Sequence, residues 1–322
     1  GLNTKTMSLQ EEWATGLLQR ACPCCGSNDY EIISRTMKDG INLPTVICRE
    51  CSLIYTNPVP PEKLYKRFYL EAYNDFYIHQ DSFVPSLKGT PADINKILGI
   101  IHNYLPDRNS GILEVGSGSG RFLYYLAERY PNAVGIEPGS NSSNAKSVYK
   151  LKIIDDFFEA HDFGDQKFNM IVMIHVLEHF YDINRAITKC RSLLKENGFI
   201  FIEVPNILKP FRSLDHYFLR YVHPVNFSPE TIKRFLAKHG FQTIYLDSVG
   251  TRGPVPKNII LVARNVEKGT ETTVQVQENY KSVIRKLNSK RIEWLFFGQF
   301  YFKLFGLYRR MRSGLAKSKF GQ

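Results

Sequence analysis

The amino-acid sequence predicts an α/β fold built on a doubly wound, seven-stranded and mostly parallel sheet. Short apolar runs alternate with amphipathic stretches from Gly111 onward, which is the pattern of βαβ units. A glycine-rich loop follows the first of these runs. The last two apolar runs follow each other closely, so we expect an antiparallel edge there.

Seven strands and three helices account for this region. The strands are expected at Gly111–Val115, Ala133–Glu137, Leu151–Asp155, Phe168–His175, Phe199–Val204, Gln242–Ser248 and Asn258–Arg264. The helices are expected around Arg121–Tyr130, Asp182–Lys195 and Ser228–His239. Ser228 is a suitable N-cap because Pro229, a residue favoured at the first helical position, follows it. Gly198 and Gly240 are typical helix stops.

Composition and charge narrow the class of protein. The chain has 322 residues, 43% hydrophobic and 23% charged, which excludes fibrous and wholly disordered classes. The net charge of +11 is concentrated near the C-terminus, because residues 265–322 hold twelve basic and four acidic side chains. No apolar run reaches the ~18 residues of a transmembrane helix, and no signal-peptide pattern is present. We therefore expect a cytoplasmic protein.

Four of the six cysteines form two C-x-x-C pairs separated by 22 residues. The first pair is Cys22 and Cys25, and the second is Cys48 and Cys51. Two such pairs can supply the four thiolates of one tetrahedral Zn²⁺ ion at ~2.3 Å. No open coordination position is suggested nearby, so the sequence predicts a structural zinc ribbon.

The glycine-rich loop and the second strand together indicate a nucleoside-containing cofactor. Glycines at 116, 118 and 120 allow a tight turn out of the first strand and a close approach of the backbone to a ligand. The second strand ends in Glu137, a carboxylate that can accept hydrogen bonds from both ribose hydroxyls.

The region 95–264 resembles the class I S-adenosylmethionine-dependent methyltransferases. The resemblance is carried by EVGSGSGRF, VGIEP, FNMIVMIHVLEHF, LLKENGFIFIEVPN and HPVNFSPETIKRFLAKHGF, in this order. It implies a Rossmann-like methyltransferase fold with S-adenosylmethionine at the carboxyl ends of the first strands. It also implies that Glu137 binds the ribose, that Asp156, or Asp155 in its place, contacts the adenine together with Phe157, and that His175 faces the sulfonium. The residues implied around the methionine part of the cofactor are Glu114, Gly116, Ser117, Gly118 and Gly120.

The N-terminal part is similar to zinc-ribbon-bearing methyltransferases that modify sugars and glycan precursors. The similarity implies four parts: a ribbon at 18–60, a tyrosine-rich connecting or lid segment at 61–94, the methyltransferase domain at 95–264, and a basic, aromatic, helical tail at 265–322. In such relatives a tyrosine of the connecting segment serves the substrate, which here implies Tyr73. They also carry a Glu-His pair where this chain has Val222-His223, so a C-methyl mechanism that needs that glutamate is disfavoured.

Methyl transfer needs a general base only if the acceptor must lose a proton. His179 and His223 are the candidates, because imidazole titrates near neutral pH and both lie in segments expected above the cofactor. The His175–His179 run also matches the H-x-x-E-H pattern of inverted zinc peptidases, but that pattern requires a helix, whereas a strand is expected here. A divalent ion held by Glu178 and His179 is a further alternative.

The tail leaves two interpretations open. Residues 285–312 mix basic with aromatic side chains and could form either a core-covering helix or a peripheral contact with a membrane. The favoured function is methyl transfer to a sugar, a glycan precursor or another small molecule. The alternatives are an RNA methyltransferase, which the modest basic content of 95–264 disfavours, and a non-catalytic cofactor-binding module at a membrane surface or in an assembly. The sequence does not define the oligomeric state.

Overall fold

The computed structural model describes residues 12, 16–35, 42–71, 85, 89–139, 142–210, 213–248, 258–267 and 278–298. Its elements in chain order are β1 Tyr30–Ser34, β2 Thr45–Cys48, β3 Ile54–Thr56, α1 Glu62–Glu71, α2 Ala92–Tyr104, β4 Ile112–Val115, α3 Arg121–Arg129, β5 Ala133–Ile136, α4 Ser143–Ser147, β6 Ile153–Ile154, β7 Phe168–Ile174, α5 Ile183–Leu193, β8 Leu194–Pro205, β9 Val225–Asn226, α6 Pro229–Lys238, β10 Phe241–Asp247, β11 Asn258–Asn265 and α7 Tyr280–Glu293.

The large sheet has seven strands in the order β10-β11-β8-β7-β4-β5-β6. The five neighbouring strands β8, β7, β4, β5 and β6 pair in parallel, whereas β11 pairs antiparallel with both β8 and β10. The predicted fold class and its antiparallel edge are therefore confirmed. All seven predicted strands are present, five with ends within one residue of the predicted bounds and two with larger differences.

The third and fifth strands differ from the predicted bounds for local reasons. The third is shorter because the Leu151 N–H donates to the carbonyl of Ala145 and so closes the turn after α4. The fifth begins earlier, because Leu194 already pairs with Phe168 of β7 directly after α5. The ends of α6 follow the predicted signals: Ser228 accepts a hydrogen bond from the Thr231 N–H, and Gly240 has a φ of +76° after the helix. The predicted stop at Gly198 is wrong, because α5 ends at Leu193 and Gly198 lies within β8.

Helices cover both faces of the large sheet. On one face, α2 and α3 bury Leu98, Ile101 and Leu126 against the strands. On the other face, α5 and α6 bury Ile187 and Phe235. Burial of each such side chain contributes about 1.5–3 kcal/mol, so these helices fix the sheet from both sides. The helix α2 is present in the structure but was not among the three helices predicted for this region.

The small sheet has four strands in the order β1-β2-β3-β9. Its first three strands come from the cysteine-rich N-terminal part, but β9 lies between β8 and α6 of the large domain and pairs through Tyr55 and Val225. Arg20 strengthens this contact, because its guanidinium donates to the carbonyls of Thr56, Tyr181 and Pro224 at 3.0, 3.2 and 2.8 Å. The N-terminal part is thus joined to the large domain by backbone pairing.

The C-terminal helix α7 packs on the small sheet. Val283 and Leu287 are buried in one cluster with Ile47 and Ile54. Arg291 donates to both carboxylate oxygens of Asp215 and to the Ile33 carbonyl. The core-covering interpretation of the tail therefore holds for α7, and residues 299–322 lie outside the described ranges. Among the described helices, none combines the length and apolar character required to cross a bilayer.

Candidate functional site

The glycine loop connects β4 to α3 at the carboxyl edge of the sheet. Gly116, Gly118 and Gly120 have φ angles of +70°, +52° and +78°, a region that other residues rarely adopt. A Cβ atom on Gly116 would lie 2.5 Å from Cγ2 of Val176, and one on Gly120 would lie 2.6 Å from Ala145. The loop therefore requires glycine for its backbone conformation and for its close packing.

Two carboxylates flank the glycine loop. One oxygen of Glu137 accepts the Gly118 N–H at 3.1 Å. Glu114 is buried, and its Oε2 has no hydrogen-bond partner within the described part of the chain. Burial, and then the neighbouring Glu137, raise the pKa of Glu114 to about 8. Ser117 is also buried, with an Oγ that lacks a partner among the described residues. These atoms are available to a polar ligand.

The acidic residues after β6 have different partners. Asp155 accepts the Gly139 N–H at 3.0 Å and lies 3.4 Å from Nζ of Lys146. Asp156 accepts the N–H of Phe157 and contacts Nδ1 of His161 at 3.1 Å. An adenine contact through Asp156 and Phe157 stays a prediction.

His175 follows β7 directly and lies between two carboxylates. Its backbone has a φ of +55°, its Nδ1 is 3.6 Å from Glu178, and its Nε2 is 3.6 Å from Glu203. The Asn258 amide contacts the same Nε2 at 3.2 Å. Burial opposes protonation, but the two carboxylates outweigh it and raise the pKa of His175 to about 9. Because the side chain is 34% exposed, solvent weakens these ion pairs.

His179 and His223 lie edge to face, with ring centroids 4.6 Å apart. Burial, opposed by Glu178 and reinforced by His175, lowers the pKa of His179 to about 4. Burial and the neighbouring His179 also lower the pKa of His223 well below its usual value. Both imidazoles are therefore neutral at pH 7. Nδ1 of His223 has no hydrogen-bond partner in the described ranges.

The helix α1 brings two tyrosines to His179. The Tyr69 hydroxyl lies 2.9 Å from Nδ1 of His179, and the Tyr65 hydroxyl donates to the carbonyls of His179 and Val222. Phe68 packs edge to face on Tyr221, with centroids 5.1 Å apart. One wall of the site is thus aromatic. Tyr73, the predicted catalytic tyrosine, lies outside the described residues.

Glu178 is buried next to the two neutral histidines, His179 and His223. Neither carboxylate oxygen has a hydrogen-bond partner among the residues that the structure describes, although Nδ1 of His175 is 3.6 Å away. Ligand atoms of Glu178, His179 and His223 all lie within 4.8 Å of one another, a spacing that could hold a divalent ion. The peptidase interpretation fails because only the short 3₁₀ turn Leu177–His179 follows β7, and not a helix.

The four cysteines of the two C-x-x-C pairs converge as predicted. Their sulfur atoms all lie within 4.8 Å of one another, and Sγ pairs Cys22–Cys51 and Cys25–Cys48 are 3.4 Å apart. Zn–S bonds of ~2.3 Å require sulfur atoms ~3.8 Å apart in a tetrahedron. The donor set and the spacing therefore fit one metal ion. The remaining two cysteines, Cys24 and Cys190, are buried in the core.

Sequence reasoning missed several members of the site. Glu203 and Asn258 lie in strands and form a hydrogen bond with each other, and the residue pair joins β8 to β11 beside His175. A carboxylate inside the apolar run FIFIEVP was the available signal for Glu203. The sequence predicted Tyr69 only as a member of the tyrosine-rich segment, because no sequence signal predicts the contact between its hydroxyl and His179.

Comparisons with known proteins agree with this site. A family model described as "Methyltransferase domain" matches residues 92–246. A ubiquinone biosynthesis O-methyltransferase of Glaesserella parasuis is 28% identical over 119 residues, which cover 32% of this chain and 50% of that protein. Another, of a Chelativorans species, is 31% identical over 101 residues, covering 30% and 40%. The match therefore spans about half the length of these curated relatives, or less.

Solved structures with a related fold share little sequence. The 1,6-didemethyltoxoflavin-N1-methyltransferase of Burkholderia thailandensis aligns with 68% of this chain and 97% of its own at 15% identity, with a TM-score of 0.49. An S-adenosylmethionine-dependent methyltransferase of Mesorhizobium loti aligns with 52% of this chain and 96% of its own at 13% identity and a TM-score of 0.42. Residues 92–246 therefore match a methyltransferase domain, and their strand order and glycine loop are those of a Rossmann-like sheet.

Proposed function

We propose that this chain is an S-adenosylmethionine-dependent methyltransferase that acts on a small-molecule acceptor. The observation that carries the proposal is the contact between Gly116 and Val176, which sets the glycine loop directly against the turn that bears the histidines. This proximity supports a single site in which the glycine loop binds the cofactor and a neighbouring histidine acts as the base. S-adenosylmethionine, when bound, supplies a methyl group on a positively charged sulfonium.

The residues of the loop fit that cofactor. Oε2 of Glu114 and Oγ of Ser117, which have no partner in the described part of the chain, can accept hydrogen bonds from its methionine part, and Glu137 can accept from the ribose. The left-handed glycines allow the backbone N–H groups at the start of α3 to approach a ligand closely. His175 is cationic, so it orients the carboxylates of Glu178 and Glu203 and does not act as a base.

Proton removal from the acceptor falls to His179 or His223. Both are neutral at pH 7, so one ring nitrogen of each is unprotonated. His223 is favoured because its Nδ1 has no partner among the described residues, whereas Nδ1 of His179 is engaged by the Tyr69 hydroxyl. The buried carboxylate of Glu178 would stabilise the imidazolium that forms.

The acceptor class is the finer part of the proposal. Tyr65, Phe68, Tyr69 and Tyr221 give the site an aromatic wall, which suits a planar ring or the apolar face of a sugar. The curated relatives are named for ubiquinone biosynthesis, an O-methylation of a small molecule. A sugar or glycan precursor is the preferred acceptor because of the N-terminal ribbon, and a phenol is the alternative.

The four-cysteine cluster is proposed to hold a structural Zn²⁺. All four positions of a tetrahedral ion are filled by protein thiols, so no site is left for a substrate. The cluster lies in the ribbon, whose sheet is completed by β9, two residues after His223. The metal would therefore support the segment that carries the proposed base.

Variants of the two histidines test the proposal. His223→Gln should lower kcat by about 10²–10⁴-fold, with unchanged affinity for S-adenosylmethionine by calorimetry. His179→Gln should have a smaller effect. His239→Gln is the matched control, because the His239 ring contacts Asn184 of α5 at 2.9 Å and belongs to neither the glycine loop nor the histidine pair, so this variant should retain activity.

The assay is a screen of nucleotide sugars and phenols with labelled S-adenosylmethionine, with and without Mg²⁺. Methylation of neither class would refute the acceptor proposal. Full activity of His223→Gln would refute the base assignment, and a strict Mg²⁺ requirement would reassign Glu178, His179 and His223 as ion ligands. Tight RNA binding with a steep salt dependence would favour the RNA alternative.

A further inference from the structure

The end of α7 and the helical turn that follows it, Trp294–Gly298, carry an apolar surface that no described residue covers. Ile292, Leu295, Phe296 and Phe297 expose 55%, 76%, 77% and 61% of their surfaces. They are half of the large hydrophobic residues that are exposed in the described ranges, although they lie within six consecutive positions. Isolated exposed apolar side chains are ordinary, but a contiguous group of this kind marks a contact surface.

This surface faces away from the body of the protein. Val283 and Leu287 hold the opposite side of α7 against the small sheet. Lys281, Arg285 and Ile292 follow each other at spacings of four and seven, so they lie along one stripe on the other side of the helix. The stripe is basic near its start and apolar at its end. The solvent-exposed side of the helix therefore has basic side chains near its start and an apolar side chain near its end.

The charge of this segment is strongly positive. Residues 280–322 contain eleven basic side chains and one acidic side chain, Glu293. Ion pairs with Glu278 and Asp215 engage Lys286 and Arg291, whereas Lys281 and Arg285 are exposed. The residues from 299 onward continue the pattern in the sequence, with six basic and no acidic side chains among aromatic residues.

We infer that the surface formed by Lys281, Arg285, Ile292 and Leu295–Phe297 docks on an anionic phospholipid membrane. Apolar side chains can enter the boundary between headgroups and acyl chains while basic side chains contact the anionic headgroups. A second copy of this chain is a poorer occupant, because a symmetric contact would bring two strongly basic segments together. This inference goes beyond methyl transfer, and it places the enzyme at a lipid surface.

Vesicle flotation of the full chain tests the inference. The protein should float with vesicles of phosphatidylcholine and phosphatidylglycerol, and float poorly with phosphatidylcholine alone. Raising the salt concentration should weaken the interaction. Leu295→Ser/Phe296→Ser should lower the partition coefficient at least tenfold, and Lys281→Ser/Arg285→Ser should lower it about 25-fold, since each basic side chain contributes about fivefold.

Val148→Ser is the matched control, because Val148 is 63% exposed on a different part of the molecule. It should float like the wild type, and all variants should bind S-adenosylmethionine normally, which shows that they are folded. Absence of wild-type flotation on the anionic vesicles would overturn the inference, and so would an equal loss in Val148→Ser. A dimer that dissociates in Leu295→Ser/Phe296→Ser, without vesicle binding, would assign the surface to a second copy.

Discussion

Replacing Gly116 with alanine should destabilise the protein more than the same change at a glycine with free space around it. Gly116 has a φ of +70°, which costs an L-residue about 1–2 kcal/mol. The new Cβ would also lie 2.5 and 3.2 Å from the two methyl groups of Val176, and such overpacking costs about 1–3 kcal/mol. We therefore expect a loss of about 2–5 kcal/mol in the free energy of unfolding.

Gly164 provides the matched control. Its φ is +54°, but a Cβ atom added there would have no heavy atom within 4 Å, so Gly164→Ala should cost only the backbone strain of about 1–2 kcal/mol. Val176→Ala removes both crowding methyl groups, so it should restore about 1–3 kcal/mol when combined with Gly116→Ala.

Urea unfolding followed by circular dichroism measures all four variants. Calorimetry with S-adenosylmethionine should show that Gly164→Ala binds normally and that Gly116→Ala binds more weakly. The reasoning would be refuted by equal destabilisation of Gly116→Ala and Gly164→Ala. It would also be refuted by the absence of coupling between Gly116→Ala and Val176→Ala, because the contact of the loop with the histidine turn would then be unimportant.

The thiols and the titratable groups of the site lead to three further predictions. Chelation should release one Zn²⁺ per chain and lower the unfolding midpoint, and Cys48→Ser should already lack the metal; unchanged zinc content in Cys48→Ser would contradict the ligand set. Neutral His179, with a pKa of about 4, contributes stability that is present above pH ~6.5 and is lost as the pH falls toward 4, whereas protonated His175, with a pKa of about 9, contributes stability that is present below pH ~6.5 and is lost as the pH rises through 9. Urea unfolding should therefore show the greatest stability of the wild type near pH 6.5, and His179→Gln should lose less stability in acid. Binding of the cationic cofactor at pH 6.5 should release a proton from Glu114, whose pKa is about 8, so calorimetric enthalpies should depend on the buffer in wild type but not in Glu114→Gln.

Features that depend on short stretches of sequence could be predicted. The Ser228 cap, the left-handed glycines after β4 and the two C-x-x-C pairs each have a local signal, because the interacting groups lie within a few residues. The alternation of apolar runs predicted all seven strands of the large sheet in the same way. The strand bounds were less accurate, because the hydrogen bond from Leu151 that closes the turn after α4 has no sequence signature.

Features that depend on distant parts of the chain could not be predicted. The strand β9 has only two residues, and it forms because Val225 meets Tyr55 of the ribbon. The pair of Glu203 and Asn258 joins residues 55 positions apart, and Arg20 reaches Pro224 across 204 positions. Periodicity reports which face of an element is buried, but not which distant element buries it.

The charged groups around His175 favour a cationic cofactor and a protonated base in the same site, against the burial that keeps His179 and His223 neutral. The carboxyl groups of Glu178 and Glu203 both lie 3.6 Å from the single imidazole of His175, so the cluster has one more acidic than basic group. An acidic excess favours a sulfonium nearby, and it also favours the imidazolium that His223 would become on accepting a proton. If Glu178 were replaced by glutamine, His175 would lose one of its two acidic partners and the cluster would lose this excess. Glu178→Gln should therefore weaken both cofactor affinity and kcat, whereas a purely structural role for Glu178 would leave cofactor affinity unchanged in the folded protein.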